Sequence, residues 1–199
     1  MLMMLAALAF AVSACGDDDE ASASEDTEPV AEIADLTGDT TEVAFDAGFA
    51  EALASLKVTP GPVGDATISK EGVASFPITG GNVTYYDPAS SVRPYVQGII
   101  DHEGSGLSLE AGGTTVELTD FVIDPGTSEL TGTVTANGKE AATDALLFDL
   151  DGSTLEPLKS NPDGSATLAG TTVELSQPAA DLLNETFGIE DLAGGLVVG

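Results

Sequence analysis

One imidazole, one thiol and three phenols carry most of the distinctive chemistry in this chain. His102 stands in the run Ile99-Ile100-Asp101-His102-Glu103-Gly104-Ser105-Gly106. Carboxylates on both sides push an imidazole toward its charged form. Ser105 and Asp101 supply the residue types of a Ser/His/Asp arrangement. That chemistry needs the three in a spatial line beside an oxyanion hole, and the Gly-x-Ser-x-Gly elbow of a hydrolase does not occur here. The segment reads as a turn, and no catalytic residue is expected. Tyr85, Tyr86, Tyr95 and Arg93 lie near His102 in sequence. On a shared sheet face, Tyr and His can ligate or cover a heme iron. The plainer expectation is that the phenols sit at sheet rims with wet hydroxyls.

Two oxygen-rich stretches, Asp149-Leu150-Asp151-Gly152-Ser153 and Asn161-Pro162-Asp163-Gly164, raise calcium. That ion takes six to eight oxygens, and neither stretch has the EF-hand spacing. Turn chemistry accounts for both, with a calcium-dependent adhesion module as an alternative. The identity of any metal is left open, and no resident cofactor is expected.

Charge narrows the partners. The chain has 199 residues, with 34 acidic against 5 basic side chains and a formal charge of −29. Nucleic acid is excluded, because phosphate neutralisation needs clustered Lys and Arg. One Cys cannot build a disulfide framework, and one His cannot form a His-pair metal motif. Such acidity also fits a salt-loving host, where repulsion is screened.

The thiol has a clear context. Residues 1–14 read MLMMLAALAFAVSA and are apolar apart from Ser13. As a helix they span about 21 Å at ~1.5 Å per residue, short of the roughly 30 Å hydrocarbon core. They read as a signal peptide. No Lys or Arg precedes them, and a start placed too late accounts for that. Val12-Ser13-Ala14-Cys15 then resembles a bacterial lipobox. The resemblance implies cleavage after Ala14, lipid on Cys15, and a place on the outer face of the cell membrane. An ordinary signal peptidase site is the other reading, but an unpaired thiol is unusual in an exported protein.

Residues 15–41 read as a lipid-anchored acidic tether. Positions 16–40 hold ten acids and no base, so ordering costs more than burial returns. Calcium capture by Asp17, Asp18 and Asp19 ranks below a solvated spacer.

Residues 42–199 must then position the rest. Asp46 suits an N-cap, and Phe45, Phe49, Leu53 and Leu56 share a helical face before Pro60-Gly61-Pro62 breaks the helix. Strands are expected at 73–78, 82–86, 95–101, 106–110, 114–123, 129–136, 144–150 and 171–176. The alternation slips in 114–123, which predicts a bulge near Thr119-Asp120. In 146–150, Leu146, Phe148 and Leu150 are expected on one face and Leu147 and Asp149 on the other. Asp124-Pro125-Gly126 and Asn137-Gly138 signal tight turns. A second helix is expected at 178–187, with Pro178 at N1 and Gly188 after its end, and a final strand at Leu196-Val197-Val198. Thr-Thr-Val-Glu-Leu occurs at 114–118 and again at 171–175, which reads as chance or convergence rather than duplication. The fold class is all-β: a β-sandwich of about 8–11 short antiparallel strands with two short peripheral helices.

The order of helix, Phe76-Pro77-Ile78-Thr79-Gly80-Gly81, Gly98-Ile99-Ile100-Asp101-His102-Glu103-Gly104-Ser105-Gly106-Leu107 and Val116-Glu117-Leu118-Thr119-Asp120-Phe121-Val122-Ile123 resembles the HtaA-type domain. That family occurs in actinobacterial surface proteins, some of which take up heme. The resemblance spans about 45–199 and implies a β-rich sandwich with small helices. Heme-binding members use a Tyr from the first helical segment and a His from the His-x-Gly segment. His102 matches the second. Where a Phe-x-x-Tyr would begin at Phe49, this chain has Ala52, so the axial Tyr is replaced. The expected role is a lipid-anchored, extracytoplasmic, non-catalytic binding or structural module of the cell envelope. Its expected partners are the membrane, through Cys15, and another envelope protein. The alternative is a heme or porphyrin binder that uses His102 with Tyr85, Tyr86 or Tyr95.

Overall fold

The computed structural model describes residues 28–162 and 164–199. In chain order the elements are β1 (Ala31–Ile33), β2 (Thr40–Ala44), α1 (Ala47–Leu56), β3 (Thr59–Gly64), β4 (Thr67–Ile68), β5 (Val73–Pro77), β6 (Gly80–Tyr85), β7 (Val96–Ala111), β8 (Thr114–Asp124), β9 (Glu129–Ala136), β10 (Lys139–Asp151), β11 (Lys159–Ser160), β12 (Ala166–Thr167), β13 (Thr172–Leu175) and α2 (Gln177–Phe187). All pairings between these strands are antiparallel, as expected for a sandwich with short helices. The main sheet runs β1-β6-β7-β8-β9-β10-β13, with β3 also on β7. A second sheet runs β2-β5-β4, and β11-β12 form a small hairpin.

Both helices start and stop where local chemistry dictates. Asp46 accepts from Gly48 N at 2.7 Å, and Phe49 and Leu53 face the core. The second helix is capped by Ser176, which accepts from Ala179 N and donates to the Leu146 carbonyl at 2.7 Å. Pro178 sits in its first turn and Gly188 takes the left-handed cap position. Ala179, Ala180 and Leu183 are its buried face, laid over β8 and β10.

A line of irregularities crosses the main sheet. Register slips occur between His102 and Gly106 on β7, between Thr119 and Val122 on β8, and between Ala142 and Ala145 on β10. Asp120 (φ 53°) and Asp144 (φ 50°) take left-handed backbone there. Bulges of this kind bend a strand and raise its twist. At this line β7 changes partner along one edge, pairing with β6 through Asp101 and with β3 from Ser105 onward. The bulge expected near Thr119-Asp120 is therefore one member of a row. The row needs glycine where backbones close in. A methyl on Gly106 would collide with the Leu118 carbonyl, and one on Gly132 would lie 2.7 Å from the Thr119 carbonyl.

Several expectations are corrected. Ala31–Ile33 and the start of β2 fall in the stretch that composition assigns to the tether. β1 pairs with β6, and β2 pairs with β5. Backbone pairing, which composition does not register, orders them. Pro60-Gly61-Pro62 lies inside β3, opposite Leu109, Ser108 and Leu107. β3 is paired there on the β7 side only, so the missing N–H groups of the prolines are tolerated. The strands expected at 95–101 and 106–110 are one 16-residue strand through the bend. A slip between Leu146 and Phe148 puts Leu147 (1% exposed) and Phe148 (7%) both in the core, against simple alternation. Leu196-Val197-Val198 contributes a single bridge, Glu174 with Val197. The repeated pentapeptide occupies unlike places: inside the sheet in β8, and beyond β10 at its end in β13.

Gly106→Ala is expected to cost about 1–3 kcal/mol, the usual range for forcing atoms into a filled site. Thermal melts against Gly152→Ala, whose added methyl meets nothing within 4 Å, measure it. Equal midpoints for the two variants would show that the bend does not need its glycine.

Candidate functional site

His102 ends the first half of β7 and is 1% exposed. Its Nδ1 lies 3.2 Å from the Phe121 carbonyl oxygen and its Nε2 lies 2.8 Å from the Thr41 hydroxyl. A carbonyl only accepts, so Nδ1 carries the hydrogen and donates it. Nε2 then has a lone pair and accepts from the Thr41 hydroxyl. Both ring nitrogens are used, and the ring is neutral. Thr41 belongs to the second sheet and Phe121 to β8 of the main sheet, so the imidazole bridges the two layers.

Flanking carboxylates were expected to favour the charged imidazole. Burial outweighs them. Desolvation lowers the pKa of His102 from its ordinary value, against smaller upward effects of the Phe121 carbonyl and Asp101. Ser105 is also fully buried, but its hydroxyl donates to the His102 backbone carbonyl at 3.2 Å, not to the ring. Asp120 accepts from Gly104 N at 2.9 Å and from the Thr119 hydroxyl at 3.0 Å. The polar side chains at the bend hold backbone and each other.

The tyrosines gather elsewhere. Tyr85 is 5% exposed, and its ring meets that of Tyr95 edge-on at 6.0 Å. Its hydroxyl accepts from Leu158 N at 3.5 Å, so it is not the wet rim phenol expected. Tyr86 joins them through its backbone N–H to the Tyr95 carbonyl. Tyr85 pairs with Val96, and Gly80 at the far end of β6 pairs with Asp101. Six residues of β7, about 20 Å, separate Val96 from His102. The structure brings the three tyrosines together and leaves His102 apart. Arg93 is also occupied, donating to the carbonyls of Pro88, Ser90 and Val92 at 2.6–2.9 Å.

A cavity of about 40 Å³ lies beside His102, lined among others by Thr41, Val43, Phe76, Phe121 and Phe148. Another of about 20 Å³ lies between α1 and α2, against Leu53 and Leu183. Sites for cofactor-sized molecules run to about 300–1,000 Å³. The residues present do not fit a porphyrin: the imidazole is bonded at both nitrogens, the cavity is small, and the phenols are distant.

In the first oxygen-rich loop, Asp151 accepts from Ser153 N at 2.8 Å and from the Ser153 hydroxyl at 3.0 Å. These bonds hold its carboxyl below the usual carboxylate value. In the second, Asn161 donates to Ser165 and Thr167, while Asp163 lies outside the described residues. Among the described residues no group of three or more His, Cys, Asp and Glu is placed to hold a metal ion. Cys15 and Asp17–Asp19 also lie outside the described residues. Among those described, no helix is long and apolar enough to cross a membrane.

Sequence reasoning missed Thr41, which it left in the tether. The signal was present: Thr41, Val43 and Phe45 alternate with Glu42 and Ala44, the period of a half-buried strand. No family model, curated protein or solved structure matches this chain.

Stability should fall on acidification through His102. Its folded-state pKa lies below the unfolded value of about 6.5. The stability is therefore full above pH ~6.5 and declines as pH falls until the folded ring itself protonates. The slope is at most about 1.4 kcal/mol per pH unit. Melts of the parent and His102→Gln from pH 8 to 5 isolate it, since carboxylate effects are common to both. Parallel curves would contradict it.

Proposed function

We propose that this chain is a lipid-anchored, extracytoplasmic, non-catalytic module of the cell envelope that acts through its surface. One observation carries the surface reading: the only histidine is committed to a bridge inside the sandwich, and the cavity beside it is only about 40 Å³. The apolar 14-mer ending in Val-Ser-Ala-Cys supports the anchor. Several acyl chains on Cys15, at ~0.8 kcal/mol per buried CH₂, give stable attachment. The six acids and the absence of bases in 16–27, ahead of the paired strands, support a spacer that stands the domain off an anionic membrane. The antiparallel sandwich agrees with the HtaA-type resemblance, while the replaced helix tyrosine and the bonded imidazole argue against heme in this chain.

Fractionation and a hemin titration test the two halves together. Parent chain is expected in the membrane fraction, and the Cys15→Ser chain in the soluble one. The soluble chain is expected to give no saturable Soret band with hemin. Equal membrane retention of the two overturns the anchor, and a saturable Soret band overturns the surface reading.

A further inference from the structure

Among the described residues, the main sheet is covered at one end and open at the other. At β13 the C-terminal residues lie along the strand: Val173 N donates to the Gly199 carbonyl at 2.7 Å, Val198 N to the Val173 carbonyl at 2.7 Å, and Leu175 N to the Leu196 carbonyl at 2.8 Å. At the opposite end β1 pairs with β6 on its inner side, with Val30 N donating to the Tyr85 carbonyl at 2.8 Å. Among the described residues nothing pairs with its outer side. An open strand edge is a template for another chain. The exposed large apolar side chains among the described residues are Val30 (62%) and Ile33 (38%), and both are on or beside β1. The apolar exposure and the free backbone edge therefore coincide.

Charge selects what can fill that edge. Glu28, Glu32, Asp35 and Asp39 surround β1, all are exposed, and the first basic residue after them is Lys57. A second copy paired about the centre of β1 would set Glu32 against Glu32, and like charges directly opposite destabilise a strand pair. We infer that β1 is a docking edge for an extended, basic segment of another protein, which adds as the next strand with Lys or Arg against these carboxylates and β-branched side chains beside Val30 and Ile33. Main-chain bonds supply the pairing and side chains the selectivity. The inference names the partner class of the surface module proposed above and rests on that reading.

The probe is a fluorescent peptide, acetyl-Lys-Val-Lys-Val-Lys-Val-Lys-Val-amide, titrated against the unlipidated Cys15→Ser chain. Saturable binding is expected, with amide-exchange protection gained at residues 30–33. Paired Val30→Ser and Ile33→Ser substitutions are expected to weaken it at least tenfold. The same peptide with a central proline keeps the charge, loses the ladder, and is expected to bind at least tenfold more weakly. A Glu-Val analogue is expected not to bind. Equal binding of the proline peptide, or protection gained at another strand, overturns the inference as mere electrostatics or a different site. Self-association of the chain without peptide, with protection at β1, overturns it in favour of a second copy. None of these outcomes depends on lipid, so failure here is distinguishable from failure of the anchor.

Discussion

The two layers of this sandwich are joined in their apolar interior by one imidazole. His102 reaches from β7 to the Phe121 carbonyl on its own sheet and to the Thr41 hydroxyl on the other. Buried polar groups left without partners cost about 1–3 kcal/mol each. The three groups therefore specify one another: removing the imidazole strands both partners, and removing either partner strands one ring nitrogen. Only one tautomer satisfies the set, so burial fixes the protonation of the ring as well as its place. The bridge also reaches into β2, where Thr41 stands opposite Phe76 of β5.

The bridge sits where the sheet bends, and the two features depend on each other. The slips on β7, β8 and β10 turn long strands across the core. The bend carries Phe121 and Phe148 into it, where their rings meet at 6.5 Å, and Phe76 of the second sheet packs on Phe121 at 5.2 Å. Such a core is closed by its own side chains. The proposed function is therefore assigned to the surface, at the acid-rimmed edge of β1.

Much of this was legible in the residues. Caps, turns and alternation located both helices and most strands, because Asp46, Pro178 and Gly188 act over a turn or two. The bulge at Thr119-Asp120 showed as a slip of phase. What did not show depended on distant partners. β1 is three residues long and acidic, and only its pairing with β6 makes it a strand. Pro60 and Pro62 break a helix locally, yet β7 accepts them along its second half. The chemistry around His102 was misread for the same reason. Asp101 and Glu103 are neighbours in sequence, but the ring's surroundings come from residues 41, 76 and 121. Sequence proximity likewise grouped Tyr85, Tyr86 and Tyr95 with His102, whereas the ladder of β6 on β7 holds them at opposite ends of the pair.

His102 is the single histidine of the chain, so one pair of imidazole ¹⁵N resonances reports the bridge without ambiguity. The account predicts a protonated Nδ1 and an unprotonated Nε2 with distinct, unaveraged shifts at pH 8 and a titration midpoint below the ordinary ~6.5. Averaged nitrogen shifts, or a titration midpoint at or above that value, would show a solvated ring and contradict the buried bridge on which the fold and its functional reading depend.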